Sequence, residues 1–395
     1  MKQNIPLFKV FMAPTAGEEV SKVLHSGFIG QGPKVEELEH QLSKHFVVNT
    51  SNILTFNSAT SAEHLAYHLL KKESVLTTNF QWGQAVEHWP GLNEDDEVLT
   101  TALTCTATNW PILANGLKLK WVDIDPTTMN MCLEDLKSKL SEKTKIVTVV
   151  HWGGYPVDLN KLQEIRKEFY NQYGFKFIVI DDSAHAFGSK LDGELIGTFD
   201  TISTFSLQAI KHITSVDGGF WITPYSELNQ RGKLQRWYGI DRDGPRTDFR
   251  CEADVLEWGF KFHMNDVSAT VGIENLKHYN TILGGHKSNG KYYNEALKNI
   301  PGVRLLENDP RKESSFWLYT LRVDNRNDFM RYMSENGVST SRVHERNDKH
   351  TCVLDYRAEL PNVDEVVKDM ICLPVGWWVN NEDRERIVDL IKKGW

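Results

Sequence analysis

Nowhere in the 395 residues does an apolar run approach the length that spans a bilayer. The opening Met1-Lys2-Gln3-Asn4-Ile5-Pro6 also lacks the apolar stretch of a secretory leader. A cytoplasmic protein with no membrane partner is the expectation. Cysteine is sparse, and its five residues, Cys105, Cys132, Cys251, Cys352 and Cys372, include no Cys-x-x-Cys pair. That spacing offers neither a zinc-type ligand set nor a paired disulfide framework, so no metal site is expected. Positive charge is short as well: 45 Lys and Arg face 53 Asp and Glu, a net −8. A surface of that sign disfavours nucleic acid as a partner. Absent too is the Gly-x-Gly-x-x-Gly turn that a nicotinamide-dependent oxidoreductase would place after a strand. Internal repeats and low-complexity linkers are missing.

What remains is an ordinary globular composition, with 40% hydrophobic and 25% charged residues. The length exceeds what one small core accommodates, so two units are expected, here 1–265 and 266–395. The twelve tryptophans are dispersed rather than periodic and read as packing residues. From about residue 50 to 225, short β-rich runs alternate with amphipathic stretches, the pattern of an α/β layer fold with a mostly parallel sheet. Ile53 to Phe56, Glu97 to Thr100, Lys118 to Asp123, Ile146 to Val150 and Phe177 to Ile180 read as strands. Ala62, Leu65, Ala66 and Leu69 share one face of a helix. Beyond residue 260, a Phe316 to Val323 strand, the Asn327 to Asn336 stretch and an Ile387 to Ile391 helix suggest a smaller α/β lobe. Lys71 to His88 fits neither its preceding helix nor the following strand, and reads as a lid or a decorative insertion.

In open α/β sheets, ligands sit beyond the carboxyl ends of strands. The Phe177 to Ile180 strand runs into Asp181-Asp182-Ser183-Ala184-His185. By residue type alone, such a carboxylate pair serves equally to cap the next turn. Further along, Ser203 to Ile210 leads to Lys211, followed by Asp217-Gly218-Gly219 and an apolar run. Apolar and hydroxyl residues before a lysine suggest partial burial, which lowers an amine's pKa and makes it nucleophilic. A surface lysine near a hairpin fits that segment by itself.

Taken in order, these segments resemble the DegT/DnrJ/StrS-type sugar aminotransferase family of fold-type-I pyridoxal-phosphate enzymes. That family carries an acidic-Asp-x-Ala-Gln/His motif, then Ser-Phe-x-x-x-Lys, then a Gly-Glu-Gly-Gly-like turn. The counterparts are Asp181-Asp182-Ser183-Ala184-His185, Ser206-Leu207-Gln208-Ala209-Ile210-Lys211 and Val216-Asp217-Gly218-Gly219, with Lys211 29 residues after Asp182. The resemblance extends from about residue 20 to the C-terminus. It implies an α/β fold: a large cofactor-binding domain with a mostly parallel seven-stranded sheet flanked by helices, plus a smaller C-terminal α/β domain.

The resemblance also implies roles. Lys211 would hold pyridoxal 5′-phosphate as a Schiff base and then shuttle a proton. Asp182 would pair with the pyridinium nitrogen, and His185 with the phenolic oxygen. Ala59, Thr60 and Ser61 would receive the phosphate at a helix start, where free N–H groups and the helix dipole favour an anion. Ala59 replaces the family's usual glycine, and taken alone Thr60 and Ser61 read equally as a plain N-cap. Ser206 would add a hydroxyl. In Gly259-Phe260-Lys261-Phe262-His263-Met264, Lys261 takes the place of an asparagine that reaches the neighbouring subunit's phosphate, which implies a homodimer. Cys105 stands where an aromatic residue often covers the ring; it also reads as a small core cysteine.

For substrate, Ile29 and Gly30 belong to a glycine-containing segment that would overlie the site. His344 and Arg346 lie in a stretch rich in groups for phosphate or hydroxyls, which reads equally as a charged, solvated loop. The expected reaction is amino transfer, with glutamate as donor, to a keto-sugar linked to a nucleotide, in amino-sugar and polysaccharide biosynthesis. The family's Tyr-Pro-x-His-like motif is absent here, which leaves open a small phosphorylated keto compound. A sugar dehydratase of the same fold would carry histidine for the lysine; only the adjacent His212 favours it. A non-catalytic sensor has less need of an intact Asp182, His185 and Lys211 set.

Overall fold

A computed structural model describes residues 4–78, 85–245, 248 and 254–395; Cys251 lies outside the described residues. Seven strands form the central sheet: β1 (Ile53–Phe56), β2 (Glu97–Thr101), β3 (Lys118–Val122), β4 (Thr144–Val150), β5 (Ile178–Asp182), β6 (Ile202–Ser206) and β7 (Gly219–Ile222). Their spatial order is β1-β7-β6-β5-β4-β2-β3. The pairings from β3 through β6 are parallel, and β7 runs antiparallel to both β6 and β1. Every residue of β1, β5 and β7 is buried, which explains why these strands read as unbroken runs rather than as an alternation. Within them, successive side chains still take opposite faces. Ile146, Ile178 and Ile180 pack with Leu65 and Ala66 of the helix Ala59–Leu70, whereas Val147 and Val179 pack with Leu159, Leu162 and Ile165 of the helix Leu159–Tyr173.

A second, three-stranded antiparallel sheet joins Val303–Leu305, Tyr319–Val323 and Met370–Leu373. Leu321 and Ile371 meet Tyr293, Phe329, Met333 and Ile387 from three helices in a separate core. The expected strand from Phe316 is shorter, beginning at Tyr319. Phe316 takes a left-handed φ of 50°, which breaks the extended run, and its ring occupies the space left by Gly290, where a Cβ would lie 2.5 Å from it. The stretch near Asn327 is the helix Arg326–Glu335, and Ile387 to Ile391 lies inside the helix Asn381–Lys393. The first described residues join this second unit: Ile5 bridges to Val338, and its N–H donates to the Gly337 carbonyl at 2.8 Å.

The Lys71 to His88 stretch contains a hairpin, Ser74–Thr78 against Ala85–Trp89; residues 79–84 lie outside the described residues. Trp89 Nε1 donates to the Leu70 carbonyl at 2.7 Å, and Glu87 pairs with Lys176 just ahead of β5. That anchor is at the opposite end of β5 from Asp182, so the described part of the hairpin decorates the amino end of the sheet. No helix among the described residues is long and apolar enough to cross a membrane.

Candidate active site at the carboxyl end of the sheet

The end of β5 delivers two adjacent carboxylates with different surroundings. Asp181 is consumed by protein: Ser183 Oγ donates at 2.8 Å, Ser203 Oγ at 3.2 Å, and His151 Nε2 lies 2.7 Å away. His151 Nδ1 accepts the Val157 N–H at 2.8 Å, which leaves the imidazole hydrogen on Nε2, facing Asp181. Asp182 points elsewhere. Its Oδ1 accepts the Ala184 N–H at 3.0 Å and its Oδ2 the Thr108 hydroxyl at 2.5 Å. Burial raises its pKa above the ordinary carboxylate range, opposed by these hydrogen bonds and by the Lys211 charge. A buried anion with so little compensation suits a cationic N–H, such as a protonated pyridine nitrogen.

Lys211 follows β6 through a tight turn, its N–H donating to the Gln208 carbonyl at 3.0 Å. Burial pushes its amine down to about 8, with Asp182 and Cys105 opposing. Its Nζ lies 3.6 Å from the centre of a Trp317 ring. Trp317, 2% exposed, is fixed by a 3.0 Å bond from Nε1 to the Ile210 carbonyl and stacks on His185 with centroids 3.8 Å apart. The His185 and His344 rings lie parallel, 3° from coplanar orientation and 5.5 Å apart. His185 Nδ1 and His344 Nε2 are both buried without a protein partner. Burial holds His185 well below its usual pKa and His344 down to about 3, so both are neutral and each ring can donate or accept.

Two supports were invisible as such in the sequence. Thr104 and Thr108 hydroxyls, 2.9 Å apart, form a chain ending on Asp182; both lie in the Thr-Cys-Thr-Ala-Thr motif, which drew attention only to Cys105. Asn347 ties the His344 loop to the sheet, its N–H reaching the Ala102 carbonyl at 2.8 Å and its Nδ2 the Thr104 carbonyl at 2.8 Å. Trp317 carried no local signal, because only the fold brings it to Lys211.

Cys105 is the N-cap of the helix Thr106–Ala114, half-buried and near Lys211. Ser58 caps the helix Ala59–Leu70, its Oγ accepting the Ser61 N–H at 3.0 Å. Among the described residues the N–H groups of Ala59 and Thr60 have no protein acceptor, as an anion site at a helix start requires. Ala59 is the first helical residue, a position that needs no glycine. The glycine that matters is Gly219 opposite, where a Cβ would lie 2.3 Å from the Ala59 nitrogen. Ser206 Oγ, at the end of β6, accepts only a 3.3 Å bond from the Gln208 N–H.

The remaining candidates are held by partners outside this cluster or lie at the surface. Arg346 is gripped by Asp348, at 2.7 and 2.6 Å, and by Asp364. Ile29 is 53% exposed, and the Gly30 carbonyl accepts the Asp266 N–H at 2.7 Å. Lys261 is exposed, 5.5 and 5.8 Å from the Trp237 and Tyr238 rings. Arg242 connects these two segments, lying over Trp237 at 4.3 Å and donating to the Gln31 carbonyl at 3.2 Å. One surface therefore carries Ile29, Gly30 and Lys261. Nearby in sequence, Phe28, Leu256 and Trp258 are 71%, 88% and 67% exposed.

A profile of the DegT/DnrJ/EryC1/StrS aminotransferase family matches residues 12–392. Among solved structures, AtS13 from Actinomadura melliaura aligns at TM-score 0.92 and 41% identity over 100% of both chains. The sugar aminotransferase CalS13 from Micromonospora echinospora aligns at 0.90 and 39%, over 99% of this chain and 100% of that one. The UDP-4-amino-4-deoxy-L-arabinose–oxoglutarate aminotransferase of Shewanella sediminis is 26% identical over 95% of this chain and 94% of its own.

Proposed function

Because the chain belongs to the DegT/DnrJ/EryC1/StrS aminotransferase family and so works with pyridoxal 5′-phosphate, we propose that it moves an amino group from glutamate to a nucleotide-linked keto-sugar. The observation that carries this reading is Lys211, a buried amine lowered to about 8 and set beside the under-compensated Asp182. When bound, the cofactor supplies an aldehyde that bonds an amine and a protonated ring that withdraws electrons.

The chain's own residues do the rest. Asp182 holds the proton on the ring nitrogen, itself positioned by Thr108 and the Ala184 N–H. Lys211, in part neutral near pH 7.5, would be the amine that holds the cofactor and the base available to move a proton at the substrate carbon. His185 Nδ1 has the free valence to meet the phenolic oxygen. The helix start at Ala59 and Thr60, with Ser61 and Ser206, would hold the phosphate, and Cys105 would lie against the ring. His344 offers an unpaired Nε2 to a sugar hydroxyl.

Arg346, already neutralised by two carboxylates, lends no support to a small phosphorylated substrate. The surface holding Ile29, Gly30 and Lys261 supports a two-fold dimer in which each copy completes its partner's site. The units 1–265 and 266–395 would then frame each site between them. Glutamate added to the purified yellow enzyme should convert the cofactor to its aminated form, and a nucleotide-linked keto-sugar should restore the original spectrum. Restoration by small keto-phosphates alone would refute the proposal.

A further inference from the structure

Glu63 lies on the buried face of the helix Ala59–Leu70, between Ala62 and Ala66, and is 2% exposed. Apolar side chains suit that face, so a carboxyl there calls for a physical account. Its Oε1 accepts the Thr204 hydroxyl at 3.0 Å, its Oε2 has no partner, and no cation among the described residues pairs with it. Asp182 and Asp181 at the end of β5 and Cys105 at the next helix cap lie near enough to disfavour a negative charge on it. Tyr67 faces it from its own helix, with its hydroxyl turned 2.6 Å toward Thr148. Burial first, and the Asp182 charge second, hold Glu63 far above the usual carboxylate range, so it is a neutral acid. Thr204 is the register partner of Asp182 across β6 and β5, and its carbonyl accepts the Ser183 N–H at 2.9 Å.

We propose that Glu63 is a positioning residue for Asp182: through its bond with Thr204 it fixes the end of β6 against β5, where Asp182 would meet the cofactor ring. This rests on the role given to Asp182 above. The test uses the full-length holoenzyme. An infrared difference spectrum between wild type and Glu63→Gln at pH 7 should show the C=O stretch of a protonated carboxyl, lost in the variant. Glu63→Gln should keep the wild-type cofactor affinity and pH titration of cofactor absorbance. Glu63→Leu should weaken cofactor binding about fivefold, as expected for one lost hydrogen bond, and displace that titration. Should Glu63→Leu fail to fold, Thr204→Val carries the same expectation. An ionised carboxylate in the infrared spectrum at pH 7 overturns the proposal. So does wild-type affinity and titration in Glu63→Leu or, where that variant does not fold, in Thr204→Val. Asp182→Asn, measured alongside, reports separately on the underlying reading: an unchanged titration there removes the Asp182 role itself.

Discussion

Replacing Trp317 by alanine perturbs the acid–base behaviour of Lys211 in two opposed ways. Trp317 covers the Lys211 Nζ at 3.6 Å, so its removal admits water and lets the amine pKa rise. The same removal deletes a cation–π contact of about 0.5–2 kcal/mol that favours the charged amine, which lets the pKa fall. Burial is the largest influence on Lys211 and outweighs the opposing charges, taking it from 10.5 to about 8. That net depression corresponds to about 3 kcal/mol at 1.36 kcal/mol per unit, more than the cation–π contact. The net change in Trp317→Ala is therefore a rise, of about one unit if nearly all of the burial is relieved, since about 3 kcal/mol regained outweighs up to about 2 kcal/mol of lost contact. At pH 7 the neutral fraction should fall about tenfold, from about a tenth of the amine to about a hundredth. Stopped-flow measurement of covalent cofactor uptake by the apoenzyme across pH reads this fraction directly. Wild type should show a midpoint near 8, and Trp317→Ala should move it upward and slow uptake at pH 7. A midpoint unchanged or lowered in Trp317→Ala would refute the claim that burial dominates.

Three further expectations follow from the same site. Lys211→Met should stabilise the apoprotein at pH 7 by up to about 3 kcal/mol. Between pH 8 and 10.5 the unfolded amine holds a proton that the folded one has released, so wild-type stability gains with pH and the advantage fades by about 10.5; a difference that stays constant in denaturant titrations would contradict the assignment. Asp182→Asn should lower the transamination rate about a hundredfold or more while changing cofactor affinity far less, and near-normal single-turnover kinetics would shift the role to Asp181 or to neither carboxylate. Mixing Lys211→Ala with Lys261→Glu should restore part of the activity, since one site of a mixed dimer inherits both lesions and the other neither; subunit exchange without recovery would show that Lys261 does not act across the interface.

The sheet was legible because its strands are short, apolar and bounded by polar turns, and the helix facing β1 because its apolar positions recur at helical spacing. The strand at Phe316 was overextended because periodicity cannot register a left-handed φ that depends on Gly290 in a distant helix. Asp182, His185 and Lys211 were readable as an ordered set through the resemblance, which rests on short motifs just beyond two strands. Arg346 looked available because a charge pattern does not say that Asp348, two residues on, turns back to grip it, and its second partner, Asp364, is brought to it only by the fold. Trp317 was unreadable for the same reason. Thr108 stood in plain sight, yet nothing in a Thr-Cys-Thr-Ala-Thr sequence says which hydroxyl turns toward the carboxylate. The part proposed for Ile29, Gly30 and Lys261 rests on a second copy, for which a single chain's sequence carries no local signal.

The central claim is that Lys211 is the amine that holds the cofactor. Borohydride reduction of the holoenzyme, followed by peptide mapping, should find the pyridoxyl group on Lys211 alone, and prior addition of glutamate should abolish the label. A pyridoxyl group on any other lysine, or labelling that glutamate leaves unchanged, would contradict it.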